Sequence, residues 1–287
     1  MPEAVEVIPL VAGHCLNVAA LTDRGGRWRV RAYPAGFALL RHPTRGPVLF
    51  DTGYSARVVA AMRRWPGWVY GVVTPVRLRP GEAAAEQLAA LGIQPHDVRH
   101  VIVSHLHADH VGGLHDFPRA RFVQDGRGAH ALTPLRGVRA VRRAFLPELL
   151  PDDVHARTDA LRFTAAPPGL APFPHAADVF GDGLIHALPV PGHAPGMIAL
   201  VVRTAPGAAL DGDGTGLTLL AADAAWSVAA LRRGQDVPAV ARVAFWDAAQ
   251  ERASARALAA WLERHPRARV IVSHDEPEPA RVDVAHA

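Results

Sequence analysis

Runs of short apolar strands, with helical spacing between the runs, predict an α/β chain in which two β-sheets pack face to face with helices outside. Two further observations support that class. Of 287 residues, 49% are hydrophobic and 20% charged, enough apolar material for a sizeable core and too little charge for a disordered chain. No internal repeat of about 20–50 residues occurs, so a solenoid or propeller is not expected.

Residues 5–11, 36–41 and 48–50 read as strands, punctuated by Pro and Gly. Residues 55–64 have helical spacing, and Pro80-Gly81 precedes a stronger helix at 82–91, rich in Ala, Leu and Glu. Between these helices, the aromatic and proline-interrupted stretch 65–79 reads as a loop lying over a surface or a pocket. Residues 98–103 form a β-branched strand that ends in the densest histidine cluster of the chain. After a strand at 121–124 the pattern loosens: 135–150 fits one or two helices, and 151–174 is rich in Pro and Ala with little periodicity. Residues 126–178 are therefore expected as a cap or insertion within a single domain spanning 1–287. Strands return at 184–189, 197–203 and 217–222, followed by an amphipathic helix at 248–264 and a last strand at 269–272.

Composition limits the chemistry. All 31 basic side chains are Arg, the formal charge is only +4, and no block of five basic residues occurs. With Arg read as dispersed, a nucleic-acid partner is not expected. Cys15 is the one cysteine, which excludes a disulfide scaffold and a thiolate-rich metal cluster, so any metal must be held by nitrogen and oxygen. Residues 1–10 contain Glu3 and Glu6 but no basic segment followed by an apolar core, which is unlike a secretory signal. No apolar run approaches the ~20 residues that span a bilayer. A cytoplasmic protein is the expectation.

The chemistry concentrates in Ser104-His105-Leu106-His107-Ala108-Asp109-His110, followed by Val111-Gly112-Gly113. In extended or turn geometry His105 and His107 point the same way, while Asp109 and His110 turn toward a second point; one helix could not gather all four. Burying three imidazoles and a carboxylate together without a cation is costly. Three further residues stand where apolar strands stop. His193 lies in Pro191-Gly192-His193-Ala194-Pro195-Gly196, Asp223 follows the run 217–222, and His274 follows Val270-Ile271-Val272-Ser273.

This set resembles the metallo-β-lactamase superfamily and is most similar to its N-acyl homoserine lactone lactonase-like hydrolases. The likeness extends from Leu49-Phe50-Asp51-Thr52-Gly53 to Ser273-His274-Asp275. It implies an αββα sandwich of two mixed β-sheets flanked by helices, with a dinuclear site along one edge. By motif position His105, His107 and His193 would hold one metal, Asp109, His110 and His274 the other, and Asp223 would bridge them. Asp51 would support the ligand loop rather than bind metal. The implied cofactors are two divalent ions, Zn first, with Fe, Mn, Co or Ni compatible with the same donors.

The implied reaction is attack of a metal-bridging hydroxide on a lactone or a related small ester, with Asp109 passing a proton to the leaving group and Asp223 joining the two metals. Thioesterase and phosphotriesterase-like activities are the nearest alternatives, with a nuclease or a di-iron redox protein behind them. Only 13 residues follow His274 here, so the glutathione-binding extension of glyoxalase II enzymes is not expected. One departure stands out: lactonases of this kind usually have a Tyr three residues after the bridging Asp, where this chain has Trp226. An indole N–H donates but cannot accept. Trp226, with Tyr70 and Trp68 from the stretch 65–79, is the expected substrate contact; a homodimer contact is the competing reading of that stretch.

Overall fold

The computed structural model describes residues 3–22, 26–235 and 245–276. Its strands are β1 (Glu6–Val18), β2 (Val30–His42), β3 (Gly46–Phe50), β4 (Val76–Arg77), β5 (His100–Ile102), β6 (Arg121–Gln124), β7 (Thr158–Ala160), β8 (Thr164–Ala165), β9 (His175–Asp178), β10 (Ile185–Pro189), β11 (Ile198–Arg203), β12 (Leu217–Leu220) and β13 (Arg269–Ile271). Among the described residues they form a seven-stranded sheet, ordered β4-β1-β2-β3-β5-β6-β7, and a six-stranded sheet, ordered β13-β12-β11-β10-β9-β8. Both are mixed: β3, β5, β6 and β7 run parallel, as do β12 and β13, while the remaining pairs are antiparallel.

Strand alternation builds the layers. Along β2, Ala38 and Leu40 face the second sheet while Phe37 and Leu39 face the opposite way, into a core shared with helices. Along β11, Ile198, Leu200 and Val202 face the first sheet, and Ala199 and Val201 pack under the last helix. Both central strands are therefore apolar on both faces, as expected for sheets covered on each side. The helices α1 (Ala19–Thr22), α2 (Ala56–Ala61), α3 (Gly67–Val73), α4 (Ala84–Ala90), α5 (Ala108–Val111), α6 (Gly126–Leu132) and α7 (Gly137–Val141) belong to the half of the chain that forms the first sheet. On the second sheet lie α8 (Val228–Arg232) and α9 (Ala248–Arg264). The result is an αββα sandwich, the architecture that the resemblance implies. Among the described residues no helix is long and apolar enough to cross a membrane.

Two expectations are corrected. The stretch 65–79 is not a loop: α3 and β4 lie within it, and Pro66 falls just before the helix, where a missing N–H costs nothing. β1 and β2 each reach 13 residues, because a bulge between Val11 and His14, with Gly13 at φ 76°, lets β1 continue where alternation breaks. Residues 135–150 hold helical structure as expected, α7 and a short 3-10 turn at Pro147–Leu149. Within residues 126–178, β7 extends the first sheet beside β6, and β8 and β9 extend the second beside β10. These strands are too short, and too poor in β-branched residues, to show a period.

The second helical layer hangs on Trp261, which is fully buried, donates its indole N–H to the Gly169 carbonyl at 3.1 Å and stacks on His265 at 4.1 Å. Trp261→Ala should lower unfolding stability by about 3–5 kcal/mol, read from the urea midpoint at unchanged slope.

Candidate metal centre

Every residue singled out for metal chemistry lies just beyond the carboxyl end of a strand, at one edge of the sandwich. Asp51 follows β3, His105 to His110 follow β5, His193 follows β10, Asp223 follows β12 and His274 follows β13. The local backbone explains how a six-residue motif can serve two points. Residues 104–107 are not helical, His107 is extended (φ −73°, ψ 154°), and α5 then makes a single turn carrying Asp109 and His110. Strain is stored here too: Asp51 (φ 62°) and Ala222 (φ 48°) adopt the left-handed region that non-glycine residues seldom occupy, at about 1–3 kcal/mol each. Gly192, at φ 133°, passes so close to α9 that a Cβ would lie 2.0 Å from the Glu251 amide nitrogen. That approach fixes the turn bearing His193.

The structure gathers the seven side chains into two sets that share one carboxylate. His105, His107, His193 and Asp223 each offer a donor atom within 4.8 Å of one another, and so do Asp109, His110, Asp223 and His274. Asp223 Oδ2 lies 3.2 Å from His193 Nε2 and 3.1 Å from His274 Nε2, while its Oδ1 lies 3.3 Å from His110 Nε2. Asp109 Oδ2 stands 3.6 Å from His110 Nε2 and 3.7 Å from His274 Nε2.

Hydrogen bonds behind the donors set their tautomers. Ser104 donates its amide and its hydroxyl to Asp51, both at 2.7 Å, so Ser104 Oγ must accept from His105 Nδ1–H at 3.0 Å. His110 Nδ1–H donates to Asp51 Oδ2 at 2.8 Å, and His274 Nδ1–H to the Pro34 carbonyl at 2.9 Å. In all three rings the Nε2 lone pair is thereby turned toward the cluster. His107 Nδ1 and His193 Nε2 face each other at 3.0 Å. His105 Nε2, His110 Nε2 and Asp223 Oδ1 are buried without a hydrogen-bond partner. Acceptors converging with no donor among them suit divalent cations, and an all-nitrogen and oxygen set suits zinc and its neighbours.

Electrostatics distinguish the two sets. Burial, then the neighbouring imidazoles, holds His105 and His107 well below the usual histidine range, in the neutral form a metal requires. Burial also lowers His110 and His274, but Asp223 and Asp109 outweigh it; His110 is held well above its ordinary value and His274 is pushed up to about 9. Burial would raise the Asp223 carboxyl, yet His274 and His110 hold it well below the carboxylate range.

Around the cluster, Trp226 and Phe245 meet the His193 ring edge-on at 6.1 and 5.4 Å. A cavity of about 80 Å³ walled by Cys15, Asn17, Thr22, Tyr33, Trp226 and His274 adjoins it, and Trp226 also borders a larger cavity of about 180 Å³. Tyr70 lies outside both cavities: it is buried, with its phenol 3.2 Å from that of Tyr54, and burial followed by Asp109 pushes it well up. Trp68 is 47% exposed on α3 against Trp65, away from the cavities. Sequence reasoning passed over Ser104 as a link between Asp51 and His105, although it opens the histidine motif. It also passed over the Pro34 carbonyl, for which no sequence signal exists.

A family model described as the metallo-beta-lactamase superfamily matches residues 37–206. N-acyl homoserine lactonase AttM of Azorhizobium caulinodans is 34% identical over 176 residues, covering 59% of this chain and 60% of that protein. The probable metallo-hydrolase Rv2300c of Mycobacterium tuberculosis is 34% identical over 181 residues, covering 58% of this chain and 54% of that protein. The chain thus spans less than two thirds of the length of these curated relatives. Among solved structures, a variant of B. thuringiensis AiiA with N-decanoyl-L-homoserine at its active site has a TM-score of 0.70 at 21% identity, covering 96% of this chain and 94% of that one. AidC, a dizinc quorum-quenching lactonase, has a TM-score of 0.59 at 14% identity, covering 96% and 88%. At such identities the likeness concerns the fold. The family match is different in kind: it runs from within β2 to just beyond β11, more than half of the chain, and the chain belongs to the metallo-beta-lactamase superfamily.

Proposed function

We propose that this protein is a dinuclear metal-dependent hydrolase that opens lactones of the N-acyl homoserine lactone type or cleaves closely related small esters. The observation that carries the reading is the pair of buried donor sets joined through Asp223. The lactonase relatives supply the substrate class. Two divalent ions bound there would supply a water nucleophile at neutral pH and a Lewis acid for the carbonyl oxygen.

The chain's own groups would do the rest. Asp223, buried among the imidazoles of His110, His193 and His274, sets the spacing of the two halves of the site. Asp109 lies on the rim of the second set, within reach of both His110 and His274, where a carboxyl can hold a proton for a departing alkoxide. Asp51 keeps His110 and the 104–110 loop in register through its three hydrogen bonds. Trp226, between the His193 ring and the cavity, offers an apolar wall and one N–H donor to the acyl portion of a substrate.

Two outcomes follow. Asp51→Asn keeps the shape but replaces the acceptor behind His110; metal affinity of the second set should fall about 10–100-fold, read by chelator competition, while the first set holds its ion more firmly. Elemental analysis beside a panel of lactones, esters and phosphotriesters should give about two metals per chain and lactone turnover that His107→Ala lowers about a thousandfold or more. Metal-replete protein inert toward the whole panel would sink the reading.

A further inference from the structure

Six of the nine large apolar side chains exposed among the described residues fall in two short segments: Trp28 and Val30, and then Trp65, Trp68, Val72 and Val73. Trp28 is 83% exposed and Val73 69%. The fold brings these segments to one corner of the first sheet. The outer end of β1 runs between them, with Val18 paired to Val30 on one side and Cys15 to Val76 on the other. Leu16 N donates to the Pro75 carbonyl at 2.8 Å, and α3, which carries Trp68, Val72 and Val73, leads directly into β4. Exposed apolar groups scattered singly need no explanation, but this concentration does.

The charge around the corner is equally uneven. Between Arg24 and Gly81 the sequence holds eleven of the 31 arginines and a single one of the 27 acids, although Arg41 and Arg45 lie at the far end of β2 from Val30, where Arg41 pairs with Glu6 at 3.3 Å. That acid, Asp51, is buried against His110. Arg27, Arg29, Arg63, Arg64, Arg77 and Arg79 are all exposed. The overall charge of +4 therefore conceals a segregation, and the reading of Arg as dispersed along the chain is corrected here: the remainder carries more acids than arginines.

We infer that this corner docks on an anionic lipid bilayer surface. Charge and apolarity select the partner together. A second copy of the chain would set arginine against arginine. A nucleic acid would answer the charge but offer nothing to Val30, Val72 and Val73. An anionic membrane answers both, with guanidinium groups on the headgroups, tryptophan at the interface and valine at the acyl boundary. β2 continues from this corner to Tyr33, which walls the cavity beside His274, so the docking face and the mouth of the site are neighbours. The inference stands apart from which bond the enzyme cleaves.

The test is sedimentation of the full chain with vesicles of phosphatidylcholine alone, or with about one third phosphatidylglycerol, followed by tryptophan fluorescence. Binding to the anionic vesicles should be at least about tenfold stronger, blue-shift the emission and fade as salt rises above about 0.3 M. Trp65→Ser combined with Val72→Ser should weaken it about tenfold, and Arg63→Gln with Arg64→Gln should flatten the salt dependence, each at an unchanged thermal midpoint. Equal binding to both vesicle types, or to neither, overturns the inference. So does a dimer dissolved by Trp65→Ser in a protein that ignores vesicles, or salt-sensitive RNA binding that the same change leaves intact.

Discussion

The burial of one carboxylate among imidazoles is the constraint on which the rest of this structure turns. Among the described residues Asp223 is paired with histidines rather than arginine: its neighbours are His193, His274 and His110, each about 3 Å away. A charge so placed is tolerable only if its partners are held with lone pairs and protons in the right places. The second ring of contacts meets that requirement. Ser104, Asp51 and the Pro34 carbonyl each accept a hydrogen bond from the Nδ1–H at the back of a ring and so turn its Nε2 toward the cluster. The strained backbone at Asp51 and Ala222 belongs to the same account, since both residues turn the chain sharply where a strand delivers a side chain to the cluster.

The architecture gives this edge its rigidity. The donors come from both sheets: His105, His107, Asp109 and His110 from the first, His193, Asp223 and His274 from the second. Ile198 N donates to the Ser104 carbonyl at 3.1 Å, tying the second sheet to the start of the histidine loop. Opposite the Asp51 turn, Gly36 lies so near the Ser273 carbonyl that a Cβ would come within 2.8 Å, and its own N–H donates there at 2.9 Å. Sheet packing and donor placement are thus one problem with one solution.

How much of this was legible in the sequence depended on the length scale of each signal. The histidine motif is local, its donor types are unambiguous, and His193, Asp223 and His274 each end an apolar run, so the residues of both sets could be picked out from the chain alone. Central strands such as β6 and β11 were legible for the same reason, being short apolar runs bounded by turns. Residues 158–165 and 175–178 were not. Their strands owe their existence to neighbours already paired in the sheets, and two to four residues of Thr, Ala, Asp and His have no period to read. α3 was hidden because Gly67-Trp68-Val69-Tyr70-Gly71-Val72-Val73 is poor in helix formers, and packing against α7 overrides that weak propensity. The placement of Tyr70 behind the site and Trp68 outside it was beyond reach, since aromatic composition says nothing about which way a ring points.

The bond from His274 to the Pro34 carbonyl joins residues 240 positions apart. It has a consequence for the order of events in synthesis. The histidine loop and the strands of the first sheet precede His193, Asp223 and His274 in the chain, so synthesis delivers one half of the donor set before the other. Ions met during that interval find three imidazoles and a carboxylate with no shared oxygen. The complete donor set needs the strand at 269–271 beside β12, so the closing of the second sheet is what brings His274 to the other six side chains.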